Sequence, residues 1–304
     1  MKIAIVGIGG VGGYYGGKLA LKYAASDDHQ IFFIARGEHL DKIRKNGLKL
    51  ITTEGDFTVI PSLATDNPGE LGPLDLIFFC VKGYGLGNAA RMITDNLHSN
   101  TVTIPLLNGV DNVERLKTVL HEGDVLNGCV YISTHLDRPG VIQQTGGSCK
   151  LLFGPENGLV EPYRKIETLL KDADIEAELS QNITVGVWSK FLFVGPLAGI
   201  TSVLEKPFGA IMEKAGYRIM LEGMMKEIKL IADAKGIPLP ENIIEQSLEL
   251  TSNFPYETKS SMQLDFEKGK ETEIETFTGY IIKSGKESGI KTPLHDKVYF
   301  ELKN

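Results

Sequence analysis

Residues 2–12 read Lys2-Ile3-Ala4-Ile5-Val6-Gly7-Ile8-Gly9-Gly10-Val11-Gly12, an apolar strand pattern that runs directly into Gly-x-Gly-x-x-Gly. A helical stretch (14–25) and a second apolar strand (31–34) follow. In this order the motif predicts a dinucleotide-binding unit, in which the glycines allow a tight turn, close approach of the pyrophosphate and close helix packing. We therefore predict that cofactor contacts come from Gly7, Ile8, Gly9, Gly10, Val11 and Gly12. A glycine-rich turn without a ligand is the alternative.

Length and composition limit the class of protein. A chain of 304 residues is long enough for two domains with separate cores. Its net charge of -7 leaves no basic surplus for a phosphate backbone, so we expect no nucleic-acid partner. The three cysteines have no Cys-x-x-Cys spacing and the six histidines have no ligand spacing, so we expect free thiols and no metal site. The early strand leaves no room for a targeting segment, which predicts a cytoplasmic protein.

The hydrophobic pattern predicts two different halves. Strand-like runs at 3–6, 31–35, 74–81 and 101–106 alternate with helical patterns at 38–45, 111–120 and 161–171, as in a parallel sheet covered by helices. Runs at 125–132, 141–144, 151–153 and 175–179 predict further strands, mixed in direction, added to that sheet. After residue 182 only helical patterns occur, at 217–234, 240–250, 273–288 and 293–302. The sequence thus predicts an α/β fold, with a Rossmann-type domain over 1–181 and an all-α domain over 182–304.

The end of the second strand indicates which cofactor is bound. Arg36 stands where arginine accommodates the 2′-phosphate of NADP, whereas Glu38 would bind the ribose hydroxyls of NAD. We favour NADP, because guanidinium–phosphate pairing is bidentate and charge-assisted. Lys82 follows another strand at the carboxyl edge, where ligands bind in such sheets, although a solvated lysine fits equally. Asn108 and Gly109 follow the next strand, either as ligands or as an ordinary turn.

Lys190 is the only ionisable residue between Glu178 and Glu205. The apolar run around it is long enough to suggest a membrane span, but the central lysine with Pro196 and two glycines favours a buried helix, so we expect no membrane partner. A desolvated lysine has a lowered pKa that suits proton donation, whereas a snorkelling side chain would keep its head in water.

Further polar residues come late in the chain. Ser260 and Ser261 stand near a predicted helix start, where hydroxyls and backbone N–H groups can bind a carboxylate. Glu273 lies in an acidic run, which by spacing alone is typical of a solvated helix face.

Taken together, these features resemble the ketopantoate reductase (2-dehydropantoate 2-reductase) family, NADPH-dependent enzymes with a Rossmann domain and a helical C-terminal domain. The resemblance spans nearly the whole chain. It rests on motifs in the family's order: the glycine-rich turn, Val81-Lys82, Asn108-Gly109, Trp188-x-Lys190, Ser260-Ser261-Met262 and Thr272-Glu273-Ile274-Glu275. Each motif alone is weak, but the ordered set is specific.

The resemblance implies a role for each matching residue. Arg36 and Lys82 would hold the 2′-phosphate end of NADP, and Asn108 would lie between the nicotinamide ribose and the substrate. Lys190 matches the family's proton donor, Ser261 its contact to the substrate carboxylate, and Glu273 a residue on the cofactor side of the site. These assignments predict NADPH-dependent reduction of ketopantoate, a small-molecule 2-oxo acid.

The sequence departs from the family four and eight residues after the lysine. The family usually has asparagines there that help bind the substrate, whereas this chain has Val194 and Ala198. An apolar pocket discriminates less than one built on amides, so a different branched or bulky 2-oxo acid is an alternative substrate. A non-catalytic NADP-binding regulator is a second alternative. A homodimer through the helical domain is compatible with its long apolar helices.

Overall fold

The computed structural model describes all residues from 1 to 304. The chain divides into two compact units, Met1–Ile183 and Thr184–Asn304. The first contains every strand, and the second consists of helices and their connections. An α/β Rossmann-like unit followed by a helical unit confirms the predicted fold class.

All strands lie within the first unit. In chain order they are β1 (Lys2–Val6), β2 (Gln30–Ile34), β3 (Leu48–Thr52), β4 (Gly55–Val59), β5 (Leu63–Thr65), β6 (Leu76–Phe79), β7 (Val102–Pro105), β8 (Asp124–Val125), β9 (Asn127–Arg138), β10 (Val141–Gly154) and β11 (Ala177–Leu179). The helices of this unit are α1 (Gly10–Lys22), α2 (Gly37–Asn46), α3 (Leu86–Met92), α4 (Asn112–Lys117) and α5 (Arg164–Asp172).

The first sheet is parallel throughout, in the order β5-β2-β1-β6-β7-β8. This order matches the 3-2-1-4-5-6 arrangement of dinucleotide-binding sheets when its strands are counted along the chain. Central strands such as β1 and β6 are almost entirely buried, as expected for strands covered by helices on both faces. The four strands predicted for this sheet are confirmed, and β5 joins them at one edge.

A second, mixed sheet corrects one expectation. Of the strands predicted from residue 125 onward, only Val125 extends the first sheet, as part of its edge strand β8. Instead β9, β10 and β11 form a separate sheet with β3 and β4, in the order β11-β10-β3-β4, with β9 also paired to β10. The hairpin β3–β4 was not predicted. Its partner β10 lies about ninety residues further along the chain, with Leu50 opposite Ile142.

Helix α1 packs between the two sheets. A side chain at Gly12 would clash with the carbonyl of Gly7, and one at Gly16 would lie 2.9 Å from Ile5 of the first sheet. On another face, a side chain at Gly17 would lie 2.6 Å from Leu50 of the second sheet. The small residues of this helix therefore permit close packing on both sides.

The second unit is built from helices. They are α6 (Ile183–Leu204), α7 (Phe208–Glu213), α8 (Ala215–Ala234), α9 (Ile243–Ser252), α10 (Ser261–Glu267), α11 (Tyr280–Ser288) and α12 (Pro293–Lys303), with α6 beginning at the last residue of the first unit. A π-helical turn, Glu275–Gly279, leads directly into α11. Such turns occur often at functional sites.

Helix α6 carries Lys190 and continues through Pro196. It is long and apolar enough to cross a membrane, but 61% of its most apolar 18-residue window is buried inside the protein. Single helices of this kind are common as core helices of soluble proteins. The burial agrees with the expectation of a core helix.

Candidate functional site

Four predicted cofactor positions lie at one edge of the first sheet. The glycine-rich turn follows β1, Arg36 follows β2, Lys82 follows β6 and Asn108 follows β7. Because these strands are parallel neighbours, their carboxyl ends meet at the same edge, which is where ligands bind in open α/β sheets. Arg36 is exposed there, whereas Lys82 and Asn108 are half-buried.

The glycine-rich turn has the shape that a bound pyrophosphate requires. Gly7 has φ +96°, a left-handed conformation that favours glycine, and a side chain there would lie 2.7 Å from Val81. Gly9 has φ -85°, and a side chain there would meet nothing within 4 Å. The space at Gly9 is therefore open, and the first N–H groups of α1 point out of the helix end beside it. These residues fit a dinucleotide.

The residues that would discriminate NADP from NAD are both exposed. Arg36 has extended backbone and precedes the first turn of α2, and Glu38 lies within that turn. Neither position is buried against a partner that would prevent contact with a ribose or its phosphate. The geometry is compatible with the preference for Arg36 and does not by itself exclude Glu38.

The turn at Asn108 is held by a residue that the sequence analysis did not single out. Asn112 is 2% exposed, and its Nδ2 lies 3.2 Å from the carbonyl oxygens of both Asn108 and Gly109. It also lies 3.4 Å from the carbonyl of Leu107. A short-range signal was available, since asparagine side chains commonly bond to nearby backbone groups in turns.

In the second unit, Lys190 is half-buried on α6, a burial between the desolvated and the snorkelling side chain that the sequence left open. Trp188 and Phe191 flank it and pack against Tyr280, with ring centroids 6.2 and 6.0 Å away. Phe191 also stacks on Phe277 at 6.1 Å. This aromatic cluster fixes the rotation of α6 against the π-helical turn and α11.

Glu273 lies just before that π-helical turn and is 3% exposed. Its carbonyl accepts a hydrogen bond from the N–H of Phe277 at 3.1 Å. The acidic run is therefore not a uniformly solvated helix face, because Glu271 and Glu275 are exposed whereas Glu273 is buried. The packing of Phe277 on α6 brings the segment carrying Glu273 against the helix that carries Lys190.

The two apolar replacements follow Lys190 on one uninterrupted helix. Residues at i, i+4 and i+8 share a helix face, so Val194 and Ala198 lie on the side of Lys190. Val194 is half-buried and Ala198 is 2% exposed. Pro196 does not interrupt the helix. This face is thus apolar beyond the lysine.

The serine pair divides into one buried and one exposed hydroxyl. Ser260 caps α10 by accepting the N–H of Gln263 at 3.1 Å, and its Oγ lies 2.7 Å from Oγ1 of Thr201 on α6. Ser261, the first residue of α10, is exposed. Thr201 was missed by the sequence analysis. It ties the start of α10 to the helix that carries Lys190.

Comparison with known proteins identifies the family of the chain. The family model described as "Ketopantoate reductase PanE/ApbA" matches residues 3–158, and the model of its C-terminal part matches residues 182–304. The chain belongs to the ketopantoate reductase family. It is 31% identical to an uncharacterized oxidoreductase, YkpB, of Bacillus subtilis over 99% of this chain and 98% of that protein.

Solved structures agree with membership of the ketopantoate reductase family. The chain is similar to the crystal structure of 2-dehydropantoate 2-reductase from Porphyromonas gingivalis, with 32% identity, a TM-score of 0.87 and coverage of 100% and 99% of the two chains. It also shares the fold of a D-mandelate dehydrogenase solved with NADH and anilino(oxo)acetate, at 21% identity, a TM-score of 0.87 and coverage of 99% and 97%. The chain is therefore an oxidoreductase of this family, and membership implies a nicotinamide dinucleotide cofactor and a small-molecule substrate.

One buried acidic residue of this ketopantoate reductase family member, Glu227, stabilises the start of a helix. Glu227 on α8 is 6% exposed and accepts the backbone N–H groups of Leu294 and His295 at 2.8 and 3.1 Å. Its Oε2 also lies 2.6 Å from Nδ1 of His295, which is 1% exposed. The Glu227 carboxylate thus satisfies the first turn of α12.

Proposed function

We propose that this member of the ketopantoate reductase family reduces a 2-oxo acid with NADPH, with ketopantoate as the first candidate substrate. The observation that carries the proposal is Lys190, the only charged residue in the 22-residue helix α6. It is half-buried on an otherwise apolar helix, a setting in which an ammonium group is partly desolvated and suited to proton transfer.

We assign cofactor binding to residues 1–181. The glycine-rich turn, Gly7 to Gly12, would hold the pyrophosphate, and Arg36 with Lys82 would hold the 2′-phosphate. The open space at Gly9 and the exposure of Arg36 support this assignment. The bound cofactor supplies a hydride to the ketone carbon. Asn108, whose turn Asn112 holds, would align the reacting groups.

We assign substrate binding and proton transfer to residues 182–304. When the ketone carbon receives hydride, negative charge develops on the carbonyl oxygen. Lys190 neutralises this charge by donating a proton, so the ketone becomes a hydroxyl group. Ser261 would hold the substrate carboxylate, which its exposed position permits. Glu273 would contact the cofactor side of the site.

The test is NADPH oxidation with ketopantoate by the wild type and by Lys190→Ala and Lys190→Arg. Both variants are expected to lose about 10²- to 10⁴-fold in kcat, the usual contribution of a general acid, because alanine has no proton and arginine does not release one. Lys206→Ala is the matched control, since Lys206 is exposed just beyond α6. Turnover of Lys190→Ala equal to that of the wild type would contradict the assignment.

A different branched or bulky 2-oxo acid is the second candidate substrate. Val194 and Ala198 support it, because they place apolar side chains where the family usually has amides. The same assay with a panel of 2-oxo acids separates the candidates by kcat/KM, and a strong preference for ketopantoate would eliminate the second. Saturable NADPH binding without turnover on any panel member would instead indicate a regulator. The cytoplasmic location and the homodimer stay predictions.

A further inference from the structure

The side chain of His39 hydrogen-bonds a distant segment of the first unit and lies near the glycine-rich turn. His39 lies in the first turn of α2, three residues after Arg36. Its Nδ1 accepts a hydrogen bond of 2.9 Å from the backbone N–H of Gly140, which lies in the turn between β9 and β10. The backbone carbonyl of Ile8, in the glycine-rich turn, acts on the same ring. Nε2 is buried and has no hydrogen-bond partner, so the Ile8 carbonyl acts on the ring without accepting a hydrogen bond from it.

These contacts determine where the ring carries its proton. Because Nδ1 accepts from Gly140, it carries no proton, and the neutral ring has its proton on Nε2. Burial lowers the pKa of His39, and the Ile8 carbonyl offsets part of that effect. The folded protein therefore favours the neutral ring at pH 7 and above, since a group with a depressed pKa is charged only at lower pH.

The junction at Gly140 is tightly packed. The carbonyl of Gly140 accepts the N–H of Lys49 on β3 at 2.9 Å, and a side chain at Gly140 would lie 2.9 Å from Cβ of Lys42 on α2. Gly140 has φ +81°, so glycine is favoured there. Loss of the hydrogen bond to His39 cannot be compensated easily by a small shift of this turn.

Charged side chains lie on every element packed around His39 and Gly140 except the glycine-rich turn. Residues 7–13 contain no ionisable side chain. The start of α2 with the residue before it, β3 and the near end of the β9–β10 hairpin carry charged or titratable side chains: Arg36, Glu38, Asp41, Lys42, Lys49, His135, Asp137 and Arg138. Lys42, Lys49 and Arg138 line one cavity of about 510 Å³ with Gly140. Histidine is the side chain that ordinarily changes charge between pH 5 and 8, and the other histidine, His135, is exposed on β9.

We propose that His39 is a positioning residue for the cofactor: its neutral ring holds the Arg36 end of α2, next to the glycine-rich turn, to the β9–β10 hairpin through Gly140, and protonation breaks that hydrogen bond. The inference rests on the proposed use of NADPH at this edge. On protonation Nδ1 becomes a donor that faces the donor N–H of Gly140, and the hydrogen bond is lost. Cofactor affinity then falls as the pH falls below the range in which the ring is neutral.

The experiment measures the dissociation constant of NADP⁺ by titration calorimetry from pH 5.5 to 8.0. His39→Asn keeps an acceptor near the position of Nδ1 and cannot be protonated, whereas His39→Ala removes the acceptor. The control variant is His135→Asn, on the same hairpin. The 2′-phosphate of NADP⁺ also titrates in this range, but identically for every variant, so the differences between variants report on the protein.

We expect His39→Ala to bind NADP⁺ about tenfold more weakly than the wild type at pH 7.5, the usual loss for one hydrogen bond, with kcat retained at saturating cofactor. His39→Asn should bind within about threefold of the wild type at pH 7.5 and lose less affinity on acidification. His135→Asn should follow the wild type at every pH. If His39→Ala does not fold, as judged by circular dichroism, the comparison of His39→Asn with the wild type decides.

Two results would overturn the inference. One is an identical pH dependence for His39→Asn and the wild type, and the other is unchanged affinity of folded His39→Ala. If the wild type itself binds no NADP⁺ at any pH, the proposed function fails instead, so the two failures are distinguishable.

Discussion

At the scale of single residues, our proposal makes cofactor preference depend on Arg36. We expect Arg36→Ala to raise the KM for NADPH about 10- to 100-fold, because a bidentate contact between charged groups is worth roughly 1.5–3 kcal/mol. The KM for NADH should change little, since NADH has no 2′-phosphate. Steady-state kinetics with both cofactors make the measurement.

Lys45→Ala is the control for this prediction, because Lys45 is an exposed cation in the last turn of the same helix. Equal losses for NADPH and NADH in Arg36→Ala would show that Arg36 contributes to binding without recognising the phosphate. A loss for NADH in Glu38→Ala, with NADPH unaffected, would favour the NAD alternative.

Single residues also show what the sequence could and could not predict. Gly7, Gly9 and Gly12 were assigned steric roles from their spacing, and the backbone geometry agrees with each one. His39 and Asn112 were not found, because each role depends on a backbone group whose position only the fold determines. Gly140, the partner of His39, is 101 residues away along the chain.

At the scale of elements, the start of α12 depends on a carboxylate from α8. Glu227 accepts two backbone N–H groups and the Nδ1 side of His295, all in a buried position. In Glu227→Gln one of the oxygens becomes an NH₂ group that faces donors. We expect the free energy of unfolding to fall by about 2–4 kcal/mol, the range for breaking a buried charged interaction, measured by urea denaturation.

The matched control is Glu222→Gln on the same helix. Glu222 pairs with Lys226 at 2.6 Å on the surface, so its loss should change stability by less than about 1 kcal/mol. An equal, small effect of both substitutions would mean that Glu227 does not stabilise the start of α12. Turnover at low temperature should be retained in Glu227→Gln, because its carboxylate is already engaged by the protein.

Local pattern predicted most elements but not the second sheet. The buried strands β1, β6 and β7 have mainly apolar runs that indicate their type directly. The hairpin β3–β4 is short and mixed in burial, and its pairing with β10 crosses a long stretch of chain. The π-helical turn within the predicted helix 273–288 was also missed, because its polar and apolar spacing resembles that of an α-helix.

At the scale of the whole molecule, the assignment of cofactor and substrate to different units can be tested by hydrogen exchange. We expect saturating NADP⁺ to slow amide exchange around the glycine-rich turn, Arg36 and Lys82, all within residues 1–181, because bound ligand stabilises the state that binds it. Addition of ketopantoate should then slow exchange around Lys190 and Ser261. Mass spectrometry of peptides gives the readout.

Ketopantoate without nucleotide is the control for this measurement. Protection by NADP⁺ confined to residues 182–304 would contradict the assignment of the cofactor to the first unit. Protection by ketopantoate confined to residues 1–181 would contradict the assignment of the substrate to the helical unit.

The empty space at Gly9 has a practical consequence for studies in cells. An alanine there adds one methyl group in an unstrained backbone conformation and touches no other atom of the protein, unlike alanine at Gly7 or Gly12. In the proposed cofactor site, the methyl would occupy the room that the pyrophosphate needs. Gly9→Ala would therefore give a folded protein that does not bind the cofactor. In cells, this variant would separate a phenotype caused by the loss of enzymatic activity from one caused by the absence of the protein.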